Sequence, residues 1–100
     1  MQMKRQTFDN IWVALEKSEA DAVNMSMKSE LMTLIERVIE SWDLPQAEAA
    51  TRLGLTRPRL NDLLRGKISK FSLDALTAIA TRAGLSVKLS VKKVGMKRAA

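Results

Sequence analysis

From Ser18 to Trp42 the apolar residues Ala20, Val23, Met27, Leu31, Leu34, Val38 and Trp42 recur at intervals of three or four, with Met32, Ile35 and Ile39 widening the stripe. This period predicts a long amphipathic helix. Ser18 with Asp21 resembles a capping-box start. Asp43-Leu44-Pro45 ends the run, because proline disfavours helix in the residue before it. Ser26 and Ser29 leave open a division into two helices. A second helix follows from Pro45, a first-turn residue, to Leu53, with Gly54 as a left-handed stop. Thr56 supplies the N-cap oxygen of a third helix, in which Pro58 is tolerated in the first turn. Leu60, Leu63 and Leu64 form its buried face and Gly66 terminates it. Ser72 caps a fourth helix with Leu73, Leu76, Ile79, Ala80 and Ala83 on one side and Gly84 as its stop.

After Gly84 the period changes to two. Leu85, Val87, Leu89 and Val91 alternate with Ser86, Lys88, Ser90 and Lys92, the pattern of a strand with one dry face. A lone strand leaves its backbone groups without ladder partners. Antiparallel pairing with the same strand of a twofold mate satisfies them, so residues 85–93 are expected to build a homodimer. The alternative is an extended segment packed on its own helices. Residues 94–100 read as a basic tail. At the other end, Phe8, Ile11, Trp12 and Leu15 fall at helical spacing. Residues 1–17 are expected to be a flexible or partner-contacting segment, since Trp and Phe are favoured interface anchors; a short helix tucked on its own core is the alternative. Met25, Met27 and Met32 add a pliable apolar surface compatible with either.

At 100 residues the chain suits a single domain. It has no Cys, His or Tyr, which removes disulfides, thiolate nucleophiles, imidazole bases and nearly every transition-metal site. No metal or cofactor is expected. Glu36 and Glu40, four apart, are the one candidate carboxylate pair, and without a third acid or a basic partner they read as a solvated helix face. The expectation is therefore not an enzyme. No apolar run is long enough to span a bilayer, so the expected place is the cytoplasm, on the nucleoid. The net charge of +6 conceals an asymmetry. Residues 1–44 hold eight acids to five bases, whereas residues 45–100 hold twelve bases to three acids. Such a basic half suits a polyanion, although solubility alone also favours net charge.

Spacing around the glycine bend is more specific. Counting from Gln46, Ala50 stands four on, Gly54 eight, Leu60 fourteen and Leu63 seventeen. A small residue at Ala50 lets two helices cross closely, Gly54 permits the turn, and the two leucines plug the second helix onto the first. The opposite face is left to Thr56, Arg57, Pro58, Asn61 and Arg65. A polar, cationic helix face of this kind fits the major groove, where Arg bridges O6 and N7 of guanine and Asn bridges N6 and N7 of adenine. These five are expected to contact bases, and Gln46, Arg59, Lys67 and Lys70 to contact the DNA backbone.

The run Leu-Pro-Gln-Ala-Glu-Ala-Ala-Thr-Arg-Leu-Gly-Leu-Thr-Arg-Pro-Arg-Leu-Asn-Asp-Leu-Leu-Arg-Gly-Lys (44–67), with Ile-Ser-Lys-Phe-Ser-Leu-Asp-Ala-Leu (68–76), resembles the lambda-repressor-like (XRE) helix-turn-helix domain. More narrowly it resembles the HigA-type antitoxins of type II toxin–antitoxin systems and their prophage-borne relatives, for which Arg-Gly-Lys…Lys-Phe-Ser-Leu is the sharper marker. The resemblance covers about residues 18–93. It implies a mostly α, lambda-repressor-like bundle of four to five helices over residues 18–84 with one C-terminal β-strand pairing across a dimer. It also implies double-stranded DNA with a palindromic operator as one partner. A cognate toxin, mRNA-cleaving or related, would be the other, held in check while the protein represses its own operon. A stand-alone prophage-type regulator shares the DNA chemistry without the toxin. An RNA-binding or protein-interaction module is disfavoured, because Phe71 and Trp42 sit where a core needs them and not as stacking platforms. Two positions depart from the family pattern: Pro45 stands where relatives often have a capping Thr, and Asn61 replaces a frequent Ser, which changes the base read there.

Overall fold

The computed structural model describes the backbone from Gln2 to Lys93 and side chains from Ser18 to Lys93. Four α-helices follow one another, α1 (Gln2–Trp42), α2 (Gln46–Leu53), α3 (Arg57–Leu64) and α4 (Leu73–Arg82), with a 3-10 turn at Ile68–Lys70 between α3 and α4. The stretch around Ser26 and Ser29 is one helix, because isolated serines cost little amid Ala, Met, Lys, Glu and Leu. The capping-box start at Ser18 is corrected for the same reason. Ser18 is an interior residue, and Ala14 to Ala22 carries helix-favouring residues straight across it. The side chains of Phe8, Ile11, Trp12 and Leu15 lie outside the described residues, as does the basic tail 94–100.

The apolar stripe of α1 is only partly covered. Met32 and Ile35 are buried and Leu31, Val38, Ile39 and Trp42 pack around them. Upstream no side chain from Ser18 to Glu30 is buried, and Val23, Met25 and Met27 stand exposed, as does Leu34. Met32 and Ile35, at the margin of the stripe in the sequence pattern, are thus its centre in the fold. The cause is geometric: α1 packs on α4, on α3 and on the 3-10 turn through its C-terminal part, beyond which no other element among the described residues lies against it.

Met32 and Ile35 join Ala49, Ala50, Leu53, Leu60, Leu63, Phe71, Leu76, Ile79, Ala80 and Ala83 in one core, which contains no buried polar or charged side chain among the described residues. Each leucine or phenylalanine sealed here contributes about 1.5–3 kcal/mol relative to exposure. The helix ends use one device three times. After α2, α3 and α4 a left-handed glycine (Gly54, Gly66, Gly84) is followed by a residue whose N–H reaches back five positions: Leu55 to Ala50, Lys67 to Asp62 and Leu85 to Ala80, at 2.9–3.0 Å. Asp43 ends α1 with a left-handed φ of 52°, which a short polar side chain tolerates better than most.

Beyond Gly84, residues 85–93 form no strand among the described residues. Leu85 tucks against the core, but Val87, Leu89 and Val91 are exposed, the last two by more than 80%. A strand is defined by its ladder, and one chain supplies no second edge here.

Candidate nucleic-acid interface

The helix pair α2–α3 is built by local rules. Pro45 is the N-cap of α2, one position earlier than a first-turn proline, and no side chain caps that end. Its carbonyl instead accepts the N–H groups of Glu48 and Ala49 at 3.0 and 3.1 Å, and its ring fixes φ at −63° for the entry. Gly54 takes φ 69° to end α2. A Cβ there would lie 3.1 Å from Arg82 Nη1, because the guanidinium of α4 folds over the bend and donates to the Leu53 carbonyl at 3.5 Å. Thr56 caps α3, its hydroxyl oxygen accepting from the Arg59 N–H at 3.3 Å. Leu60 and Leu63 are fully buried and Ala50 nearly so, which seats α3 on α2 as the spacing requires.

With that side fixed, Thr56, Arg57, Pro58, Asn61 and Arg65 are all exposed. Arg57, Asn61 and Arg65 succeed one another at four-residue intervals and so share a ridge about 12 Å long. Neither arginine pairs with a carboxylate among the described residues. The oxygen of Thr56 is occupied by its cap, which leaves its hydroxyl proton for another acceptor.

The residues expected at the DNA backbone divide. Gln46 is exposed at the first turn of α2. Arg59 is half-buried and turned inward: its Nη1 donates to the Lys70 carbonyl at 2.8 Å, and its guanidinium lies 4.1 Å from the centre of the buried Phe71 ring. It therefore fastens the 3-10 turn to α3. Lys67 and Lys70 extend from that turn, their Nζ atoms 3.5 and 3.9 Å from the Asp62 carboxylate. Sequence reasoning missed the inward roles of Arg59 and Arg82. Arg82 meets a carbonyl 29 positions away, a contact no local pattern announces. Trp42 and Phe71 serve the core as expected, Trp42 with Arg52 stacked at 4.7 Å.

A cleft of about 460 Å³ between the end of α1 and the α2–α3 pair contains Glu36, Glu40 and Asp43 over Ile39, Leu44 and Leu60. No group of three potential metal ligands occurs among the described residues. Nor is any described helix long and apolar enough to cross a membrane.

Residues 13–92 match the family described as "Helix-turn-helix domain". The chain belongs to the XRE-type helix-turn-helix family. A solved structure described as "Putative XRE Family Transcriptional Regulator" is 31% identical, with a TM-score of 0.71 over 80% of this chain and 90% of that one. No curated protein matches the chain. XRE-type helix-turn-helix domains are DNA-binding domains, and the family match takes in α1 from residue 13 onward and the whole of α2, α3 and α4.

Proposed function

We propose that this XRE-type protein is a sequence-specific operator-binding regulator whose α3 enters the major groove. One observation carries the reading: the outward ridge of α3 presents an asparagine and two arginines that are unpaired among the described residues, on a helix whose other side is locked into the core. Arg57, Asn61 and Arg65 contact base edges, with Thr56 and Pro58 at the entry, while Gln46, Lys67 and Lys70 contact phosphates. Arg59 contributes to the backbone contact mainly by holding Lys70 in place. The protein works as a homodimer through Leu85, Val87, Leu89 and Val91, the last three exposed, and the segment finds its ladder on the mate.

Within this reading the protein is the antitoxin of a type II pair of HigA type, which binds a small toxin and represses its own operon. The exposed apolar positions Val23, Met27 and Leu34, which share one face of α1, support a protein partner. The toxin surface then continues toward Phe8, Ile11, Trp12 and Leu15. Capture of the tagged chain from its host tests both parts. The antitoxin reading expects a stoichiometric small protein encoded beside it together with a palindromic DNA fragment. DNA without that protein leaves a stand-alone regulator, and neither would overturn the proposal.

A further inference from the structure

Asp62 is the only acid between Glu48 and Asp74, in a stretch that carries six bases. It lies on the flank of α3, one helical step of about 100° from Asn61 and about 40° from Pro58, and thus beside the outward ridge. Its carboxylate is half-buried and meets both lysines of the following turn, Lys67 at 3.5 Å and Lys70 at 3.9 Å. Its main-chain carbonyl also receives the Lys67 N–H at 3.0 Å, so the turn cannot drift away from it. The carboxylate itself serves no other hydrogen bond among the described residues, and no packing requirement explains an acid here.

We propose that Asp62 is an internal competitor for the DNA backbone, a residue that lowers the sequence-independent share of DNA affinity and leaves base readout untouched. The inference rests on the DNA-binding reading above. A phosphate oxygen seated on either lysine at about 2.8 Å while that lysine keeps its pair lies within about 7 Å of the Asp62 carboxylate. That is inside the screening length of roughly 10 Å at 0.1 M salt, so phosphate and carboxylate repel. If the lysine swings away instead, the ion pair is lost. Either route taxes every phosphate contact the turn makes. Both pairs are long and their lysines are well exposed, 42% and 55%, so the tax is modest and the lysines remain available. The Arg57–Asn61–Arg65 ridge has no such competitor among the described residues. Sequence-blind contacts are thereby weakened while base contacts are left at full strength.

Asp62→Asn keeps the shape and removes the charge. Its affinity for a random duplex and for the selected operator should rise by about two- to fivefold at 0.1 M salt, the size of one weak ion pair. The slope of log affinity against log salt should steepen by up to about one, because a lysine freed of its pair neutralises a phosphate fully and releases its counterion. In a Lys67→Gln/Lys70→Gln background the same substitution should change neither quantity. Asp62→Ser, measured alongside, guards against an effect peculiar to asparagine, and thermal melts confirm that each variant folds. Unchanged affinity and slope in both folded variants would overturn the proposal, and so would a gain that persists without the lysines. If the unsubstituted protein shows no sequence preference, the operator reading fails by itself, because the effect of Asp62 is still read on random DNA.

Discussion

Arg59 and Asn61 stand two residues apart on α3 and do opposite work. Arg59 faces inward, joining the Lys70 carbonyl and the Phe71 ring, and its loss removes one charge-assisted hydrogen bond and one cation–π contact. Arg59→Ala should lower unfolding free energy by about 1–2 kcal/mol in urea titrations. Arg59→Lys should recover little of it, since an ammonium cannot donate to the carbonyl and lie flat on the ring together. A lysine variant as stable as the parent would show that the guanidinium plane is immaterial. Asn61 faces outward and carries no charge, so its removal leaves the electrostatic background intact. Asn61→Ala should cost about 1–3 kcal/mol on the operator and nothing on random duplex. Arg57→Ala should show a similar operator penalty with a smaller loss on random DNA. Equal losses on both duplexes would place these side chains on phosphates, not bases.

At the scale of elements, the parts legible in the sequence were those written in local chemistry. Thr56 and Ser72 accept from the N–H groups of Arg59 and Ala75, three residues on, and glycine stops follow α2, α3 and α4. Leu60 and Leu63 are sealed where the helix-turn-helix spacing puts them. Leu63→Ala should therefore cost about 2–5 kcal/mol, measured by denaturant unfolding, because the cavity lies where α3 meets α2. The α1 stripe was less legible, since a hydrophobic period reports which residues share a face and not how much of that face is covered. Ser18 misled because a serine is compatible with a cap and with a helix interior, and only the surroundings decide. Residues 85–93 pose a related problem: the alternation is plain, but no partner edge lies among the described residues. Val87→Asp with Leu89→Asp should convert the protein to monomers in sedimentation experiments, and a surviving dimer would place the interface elsewhere.

For the whole molecule, charge and shape agree on two ends with different tasks. The acids gather in the first 44 residues, along α1, while the bases follow on the α2–α3 unit and beyond. DNA is drawn to the second region and repelled from the first. A twofold dimer carrying two α3 ridges needs its half-sites about 34 Å apart, one turn of duplex, so that both ridges meet the same face. Methylation interference on the selected operator examines groove and symmetry together, because dimethyl sulfate marks guanine N7 in the major groove and adenine N3 in the minor. Two clusters of guanine N7 positions, one turn apart, should block binding when methylated, with adenine N3 methylation tolerated. Interference confined to adenine N3, or guanine positions without that spacing, would contradict a dimer reading DNA through α3.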